Sequence, residues 1–492
     1  MPRTRAGVSR REALKVAGTA AAALVAGGRA GSAAARPAAQ VEEPVRTSSG
    51  RHKKVIVAGG GIAGLSCAYE LMKRGHDVTV LEAAGHTGGH VRTFRDPFAD
   101  GLYVDGGAEH FTKPGYEIFR GYVKELGLTA LPYPRRQTIV RLVDGKLRSE
   151  EELASPKVLA SLGFKPREVE FLGREPWWKL RALYYAPYLD SFHDEYQPFG
   201  VGLDHLDRMT MNELLRKDGA SDAAIRHFGD DHGSALHVLW HAAILKMRGV
   251  PLFPTEVYRI EGGNQNITHA LTEKLGDRVR LGCPVTGIER GDTGVRVSFR
   301  EWGRERTIEG DWLVSAMSLW ALATVPVKPA WPEARRRVME GFPYYTASRP
   351  VFQSRTRFWE KDGLSVNVEL GEPALQHYWR TADDVPTARG LLASTARGAT
   401  TAEDALAAFR RHYAGKSEDI EQVFVVDWAS DPWAVACEPQ TYGAGQLARF
   451  WPKTIEPEGR VQFAGAYADN LNWGMEAATR SANRVAKSID AD

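Results

Sequence analysis

Residues 54–82 read KVIVAGGGIAGLSCAYELMKRGHDVTVLE, and this stretch decides the fold. The apolar run of Val55, Ile56 and Val57 predicts a short buried strand of a parallel sheet. Three glycines follow it at G-x-G-x-x-G spacing, namely Gly59, Gly61 and Gly64. The first permits a tight turn, the second lets the backbone approach a diphosphate, and the third lets a helix pack closely on the strand.

A helix and a second strand complete this unit. The helix is predicted from about Ile62 to Lys73, with its N-terminal amides and positive dipole end directed at the diphosphate. Residues 78–81 predict the second strand, and Glu82 follows where a carboxylate can accept hydrogen bonds from ribose hydroxyls. Because an acid there disfavours a 2′-phosphate, the expected ligand is a dinucleotide of the FAD or NAD type.

Residues 1–39 have the pattern of an export signal. The sequence SRREALK at residues 9–15 is a twin-arginine pattern, and the weakly apolar residues 16–28 and the small residues 33–39 follow it. The apolar run is too short and too rich in alanine for a stable membrane span. Export by the twin-arginine route to the periplasm or the extracellular space is therefore predicted, with a disordered basic tail as the alternative.

Charge and composition exclude several classes of protein. Without the seven basic residues and one acidic residue of residues 1–39, the formal net charge falls from +3 to −3, so a nucleic-acid partner gains no support. About 450 remaining residues exceed one ordinary core, which predicts two intertwined domains. Three cysteines offer no disulfide framework. His237 and His241 lie four residues apart without a complete ligand set, so no metal site is predicted.

A second glycine pair narrows the choice of dinucleotide. Residues 86–93 read HTGGHVRT. Flavoproteins of the amine oxidase and phytoene desaturase type carry R-x-G-G-R-x-x-S/T at this place, and the chain resembles them with His86 and His90 at the two arginine positions. The resemblance implies a weaker positive charge at the diphosphate, for which Arg92 compensates. Residues 103–110, YVDGGAEH, resemble the strand and turn beside the flavin in that family.

Further blocks extend the resemblance in the middle of the chain. The sequence EGGNQ at residues 261–265 opens a predicted helix that ends near Leu275. Residues 279–285 are predicted to form the strand whose backbone meets the adenine, and residues 295–299 and 312–316 to form flanking strands.

The C-terminal part continues the match. RVQFAG at residues 460–465 predicts a strand followed by a glycine, and WGMEAA at residues 473–478 opens a helix running towards Ala486. In the family this helix directs its N-terminus at the flavin pyrimidine ring. The family's acid for the ribityl chain is absent after F-A-G, and Asp469 is the proposed substitute.

The resemblance covers most of residues 52–492 and implies an α/β fold. We expect a discontinuous Rossmann-like FAD-binding domain of the glutathione-reductase type at residues 52–130, 255–318 and 425–492. An interleaved α+β substrate domain is expected at residues 131–254 and 319–424, with residues 130–250 mainly helical. The expected cofactor-binding residues are Gly59, Gly61, Ile62, Ala63, Gly64, Glu82, Ala83, Gly88, Gly89, His90, Val91, Arg92, Val285, Cys437, Gly465, Gly474 and Met475.

Two positions near the reacting face of the flavin depart from the family pattern. The spacing to the pair Phe358-Trp359 places Arg349 where relatives carry a lysine that holds a water near flavin N5. An arginine stays cationic, so it can orient water or bind an anion but cannot act as a neutral base. Cys437 lies nine residues after Trp428, where monoamine oxidases attach FAD through a thioether. Covalent and noncovalent attachment both remain open.

The aromatic cage of the family is also altered. Glu438 and Gly474 occupy its two matched positions, and Trp473 is adjacent to the second. The predicted catalytic residues are therefore Arg349, Glu438 and Trp473.

The resemblance implies an exported FAD-dependent amine oxidase. Hydride would pass from an amine C–H to flavin N5, the resulting imine would hydrolyse, and O2 would be reduced to H2O2. An electron-acceptor protein in place of O2 is a close variant. A dehydrogenase, desaturase or isomerase of a non-amine substrate is the alternative, and a structural flavoprotein is a third reading. The sequence leaves the substrate and the oligomeric state, a homodimer included, undetermined.

Overall fold

The glycine-containing unit forms the centre of the fold in the computed structural model, which describes residues 51–372, 375–435, 437, 441–471 and 473–492. Strand β1 (Lys54–Ala58) leads into helix α1 (Ile62–Lys73), and β2 (Asp77–Leu81) follows. The predicted helix has the predicted bounds, and the second strand begins one residue earlier than expected. The predicted α/β fold is confirmed.

A five-stranded parallel sheet is built around β1. Its order is β10–β2–β1–β14–β21. The three strands that join the first two come from distant parts of the chain: β10 (Val279–Arg280), β14 (Trp312–Ser315) and β21 (Val461–Phe463). All pairs are parallel, so the carboxyl ends of the strands meet at one edge. In open α/β sheets this edge is where ligands bind.

The sheet separates two hydrophobic cores because alternate side chains of β1 point to opposite faces. Val55 and Val57 pack with α1 and with the C-terminal helix on one face. Ile56 and Ala58 pack into the other, larger core. Both faces being buried explains why β1 reads as a continuous apolar run.

The predicted strand over residues 279–285 is wrong in part. Only β10 forms there, since Gly282 has φ +66° and Pro284 has no amide hydrogen to donate. The next strand, β11 (Val285–Arg290), joins a different sheet of order β13–β12–β11–β15. Its other members are β12 (Val295–Glu301), β13 (Arg304–Gly310) and β15 (Val327–Lys328).

A seven-stranded sheet of order β20–β16–β19–β18–β17–β7–β8 carries Arg349. Its strands are β7 (Val140–Val143), β8 (Lys146–Ser149), β16 (Ala347–Ser354), β17 (Val368–Glu369), β18 (His377–Thr381), β19 (Gly390–Arg397) and β20 (Ile420–Asp427). Two small sheets complete the strands: β3 (Thr93–Phe94) with β4 (Val104–Asp105), and β5 (Phe111–Thr112) with β9 (Val257–Ile260) and β6 (Ala130–Pro132).

Residues 130–250 are mainly helical, as predicted, but they begin with strands. The hairpin of β7 and β8 turns at Asp144 and Gly145, whose φ angles of +49° and +76° suit a two-residue Asp-Gly turn. The helices that follow are α3 (Glu150–Leu153), α4 (Pro156–Ser161), α5 (Pro166–Leu172), α6 (Leu180–Leu189), α7 (Met211–Lys217), α8 (Asp222–Phe228) and α9 (Ala235–Met247).

The remaining helices are spread along the chain. They are α2 (Glu117–Glu125), α10 (Gln265–Leu275), α11 (Leu319–Ala323), α12 (Glu333–Gly341), α13 (Phe358–Lys361), α14 (Ala402–His412), α15 (Leu447–Phe450) and α16 (Gly474–Ala491). Helix α10 ends where predicted, and α16 continues five residues beyond Ala486. The described residues belong to one compact unit, and the division into two domains stays a prediction.

None of the helices among the described residues is long and apolar enough to cross a membrane. Within the same residues no group of three potential ligands surrounds a metal position. His237 is buried and His241 is half-buried on α9, where burial lowers their pKa to about 3 and about 4, and the ring Nδ1 of His237 accepts a hydrogen bond from the amide of Tyr442.

Replacing Gly64 by alanine is expected to destabilise the protein by at least about 1–3 kcal/mol, the usual cost of an overpacked core. A Cβ at Gly64 would overlap the carbonyl oxygen of Gly59 and lie 3.1 Å from Cβ of Ala316. The measurement is the thermal unfolding midpoint. Gly121→Ala is the matched control, because a Cβ at that helical glycine meets no atom within 4 Å. A Gly64→Ala protein that unfolds at the wild-type temperature would contradict this packing.

Candidate functional site

A cavity of about 510 Å³ opens at the carboxyl edge of the parallel sheet. The glycine turn, the end of β2, residues 83–92 and the start of α16 all contribute to its wall. Fifteen predicted cofactor-binding residues line it: Gly59, Gly61, Ile62, Ala63, Glu82, Ala83, Gly88, Gly89, His90, Val91, Arg92, Val285, Gly465, Gly474 and Met475. Gly64 instead forms the contact between α1 and the turn. Cys437 is not part of the described wall.

The glycine turn is held by backbone contacts on both sides. Gly59 has φ +110°, and a Cβ there would lie 2.9 Å from the carbonyl oxygen of Ala316. The amide of Gly60 donates to Glu82 Oε2 at 2.5 Å, and the amide of Ala84 donates to Oε1 at 2.7 Å. Burial raises the pKa of Glu82, although both amide bonds oppose this. The carboxylate therefore both shapes the turn and faces the cavity.

The N-terminus of α1 is open to an anion. Gly61 is the N-cap residue, no side chain caps the helix, and its first turn carries no acid. Segment 86–90 crosses this end, since the amide of Gly88 donates to the carbonyl of Gly60 at 2.9 Å and Gly88 pairs with Gly61. Uncapped amides and a positive helix end fit a diphosphate group.

Charged side chains are sparse in the described cavity wall. Arg92 Nη1 lies 3.5 Å from Asp431 Oδ2, and the guanidinium lies 4.8 Å from the ring centroid of Phe94. His90 Nε2 is 2.9 Å from the carbonyl oxygen of Ala434. Arg92 was expected to compensate for the two family arginines that are histidines here. Its positive charge is partly offset by Asp431 on the same cavity wall.

The opposite end of the cavity is formed around α16. Gly465, Ala466 and Tyr467 line it together with Gly474 and Met475. No side chain caps α16, and Glu476 in its first turn instead accepts hydrogen bonds from the amides of Ile118 and Phe119 at 3.2 and 2.9 Å. The amides of α16 are therefore left to stabilise negative charge in the cavity.

Asp469 does not line this cavity. It accepts hydrogen bonds from the Leu471 amide and from Arg480 Nε at 2.9 and 3.0 Å. It lines a smaller, adjoining cavity together with His237 and Trp240, and Ala466 and Tyr467 line both cavities. Asp469 is therefore not the expected substitute for the family's ribityl-binding acid.

Arg349 lies on β16 and does not itself line the cavity, but it contacts the residue that precedes a lining residue. Its Nη2 donates to the carbonyl of Gly107 at 2.9 Å, and Ala108 lines the cavity. Its guanidinium lies 5.0 Å from the ring centroid of Trp379. No described carboxylate is within 4.0 Å, and the buried Nη1 has no hydrogen-bond partner among the described residues. Burial lowers the pKa of Arg349 and Glu109 opposes this, yet an arginine remains cationic.

Glu109 is the carboxylate whose charge acts on Arg349 without a direct ion pair, and it was not predicted from the sequence. Its Oε1 is 2.9 Å from His110 Nδ1 and 3.3 Å from Arg135 Nε, while the buried Oε2 has no described partner. Burial would raise the pKa of Glu109, but His110 and Arg135 outweigh it and hold the pKa below its usual range. Glu109 lies in the segment 103–110, and the resemblance of that segment to the strand and turn beside the flavin is the sequence signal that could have identified it.

Trp473 does not line the cavity itself; it precedes the lining residue Gly474 and packs on Tyr116, which was not predicted from the sequence. Its ring stacks on Tyr116 with centroids 5.7 Å apart and planes at 23°. Gly115 makes room for it, since a Cβ there would overlap the indole. Cys437 is half-buried and pairs with Tyr345 through two backbone hydrogen bonds of 2.8 and 3.1 Å. Glu438 lies outside the described residues.

Comparison with known proteins gives concordant matches. The family described as flavin containing amine oxidoreductase matches residues 62–490. An L-amino-acid oxidase from Demansia vestigiata is 23% identical over 469 residues, 89% of this chain and 87% of the relative. Amine oxidase [flavin-containing] A from Canis lupus familiaris is 25% identical over 468 residues, 88% of this chain and 84% of the relative.

Solved structures agree with the architecture. Cyclohexylamine oxidase from Brevibacterium oxydans IH-35A superposes with a TM-score of 0.73 at 22% identity, covering 90% of this chain and 99% of that one. A putrescine oxidase bound to putrescine gives a TM-score of 0.74 at 20% identity, covering 90% and 100%. At these identities the structural matches establish the fold.

Proposed function

The chain belongs to the family of flavin-containing amine oxidoreductases, and on that premise we propose that it is an exported FAD-dependent amine oxidase. One observation carries the proposal: a single cavity joins the glycine turn, the Glu82 carboxylate and the uncapped N-terminus of α16. A dinucleotide that carries a ring in need of negative-charge stabilisation matches this arrangement from end to end.

Different residues along the cavity would hold different parts of the dinucleotide. The amides at the start of α1 would hold the diphosphate, and Glu82 would accept from the ribose hydroxyls. When bound, FAD supplies the oxidising power by accepting a hydride from the amine carbon, and O2 then takes the electrons to form H2O2. The amides of α16 would stabilise the negative charge that accompanies reduction.

The substrate side would be formed by Arg349 and Trp473. Because Arg349 remains cationic, it would orient a water or an anionic group beside the wall at Ala108, and it would not remove a proton. The stacked rings of Trp473 and Tyr116 would supply an apolar side to the approach. A non-amine dehydrogenase or desaturase is the second candidate, favoured by Arg349 and by Gly474 at a position where relatives carry an aromatic residue.

Addition of amines to the purified protein tests this function. We expect a yellow protein whose flavin absorbance is bleached under anaerobic conditions by at least one primary or secondary amine. Admitted air should restore the colour and yield about one H2O2 per turnover. Bleaching with slow recovery in air would indicate a different electron acceptor. A flavin that no amine reduces would contradict an amine oxidase.

Within the same test, Arg349→Met is expected to slow flavin reduction about tenfold or more, the effect of losing one charge-assisted hydrogen bond. It should leave the yellow colour, because Arg349 does not line the cavity. Arg397→Met is the matched control, since Arg397 is exposed on the adjacent strand β19. Equal reduction rates in the two variants would remove Arg349 from the substrate side.

Cys437 is the proposed point of covalent attachment. Cys437 is half-buried, and in sequence it comes three residues after the segment 431–434, which lines the cavity. The intact mass of the denatured protein should include one FAD, and Cys437→Ala should lose this increment while Cys283→Ala keeps it. A denatured wild-type protein with the mass of the polypeptide alone would contradict the thioether.

Export rests on residues 9–15, which lie outside the described residues. Expressed in a host with a twin-arginine pathway, the full chain should appear outside the cytoplasm with flavin bound. Arg10→Lys combined with Arg11→Lys should retain it in the cytoplasm, and Arg29→Lys, outside the motif, should not. Unchanged export of the double variant would contradict the proposed route.

A further inference from the structure

The diphosphate end of the cavity lacks a surplus of permanent positive charge. Apart from two histidines, the acidic and basic side chains among the described lining residues are Glu82, Arg92 and Asp431. Arg92 and Asp431 lie 3.5 Å apart and partly offset each other. The diphosphate is an anion, so another source of positive charge would strengthen its binding.

Two histidines flank the place where the diphosphate is expected. His86 and His90 line the cavity on either side of the Gly88–Gly89 pair. The hydrogen bond from Gly88 to Gly60 fixes this segment across the glycine turn and the N-terminus of α1. A charge on either imidazole would therefore act beside the phosphate oxygens.

One ring nitrogen of each imidazole lies within hydrogen-bond distance of a backbone carbonyl oxygen. His86 Nδ1 lies 3.2 Å from the carbonyl oxygen of Thr87, and His90 Nε2 lies 2.9 Å from that of Ala434. A carbonyl oxygen only accepts hydrogen bonds, so the proton of each neutral ring is placed on this nitrogen. The other nitrogen then carries a lone pair, which repels a phosphate oxygen. A second proton converts it into a charged donor.

We infer that His86 and His90 bind the FAD diphosphate as imidazolium ions, so that FAD binding takes up protons. The inference rests on FAD being the cofactor in the proposed function. Since the complex holds more protons than the separated partners, FAD affinity is high at acid pH and falls as the pH rises. The limit is about tenfold per pH unit for each histidine, in the range above the usual imidazole value of about 6.5.

Other titratable and charged groups near these rings also affect how FAD binding depends on pH. Glu82 lies on the β2 side, and protonation of its carboxylate at acid pH would weaken ribose binding, which is the opposite pH trend. His269 lies on α10, and burial, Arg95 and His86 together lower its pKa. The two cavity histidines are left as the groups whose protonation favours binding.

The test measures FAD release from the holoprotein in a Cys437→Ala background, so that no thioether can retain the cofactor. Equilibrium dialysis with FAD fluorescence gives the dissociation constant at about pH 5.5, 7 and 8.5, a range that spans imidazole titration. We expect FAD to bind at least about tenfold more weakly at the highest pH than at the lowest.

Substitutions assign the effect. His86→Gln with His90→Gln should bind FAD weakly and with little pH dependence, because glutamine cannot take up a proton. His86→Arg with His90→Arg should bind tightly across the same range, because the charge is permanent. His269→Gln is the control and should keep the wild-type pH dependence. Circular dichroism at each pH separates cofactor release from unfolding.

Two results would overturn the inference. One is a dissociation constant that changes less than about twofold over this range, and the other is a pH dependence that survives the double glutamine variant. The test uses no substrate. A protein that binds FAD in this pH-dependent way but oxidises no amine would contradict the proposed function alone, and an active oxidase with pH-independent FAD binding would contradict this inference alone.

Discussion

The close approach of α1 to the first turn is the constraint on which the rest of the site depends. With no side chain at Gly64, the helix lies against the carbonyl of Gly59, and Gly59 in turn lies against Ala316 at the end of β14. This contact brings the uncapped helix end to the edge of the sheet. The cavity, its glycine-rich segment and the α16 end are all arranged around that position.

The charge in the cavity depends on two features. Cations lie in its wall, and nearby carboxylates are held by hydrogen bonds to other groups. Glu82 is held by the amides of Gly60 and Ala84, Glu476 accepts from the first amides of α2, and Asp469 pairs with Arg480. The two helix N-termini are thereby left without a competing acid. On the substrate side the pattern differs, since Arg349 and Glu109 each keep one buried polar atom unpaired among the described residues. Buried groups of that kind bind strongly to whatever satisfies them.

Local patterns predicted the nucleotide-binding unit well, because its glycines, helix and strands depend on residues close in sequence. The failures have physical causes of the same local kind. The strand expected at residues 279–285 ends at Arg280, before Gly282, and the Asp144–Gly145 turn adds a hairpin before the helical region. The surroundings of Arg349 could not be predicted. Trp379 reaches it only through the pairing of β16, β19 and β18, and that order is a long-range property of the chain.

The order of strands in the parallel sheet also has a consequence for synthesis. The edge strand β21 and helix α16 are made after β14, and long after β1 and α1. A nascent chain therefore exposes the apolar faces of β14 and α1 until β21 and α16 have left the ribosome. Assembly of the dinucleotide cavity waits for these two elements, and the growing chain must be protected from aggregation until then.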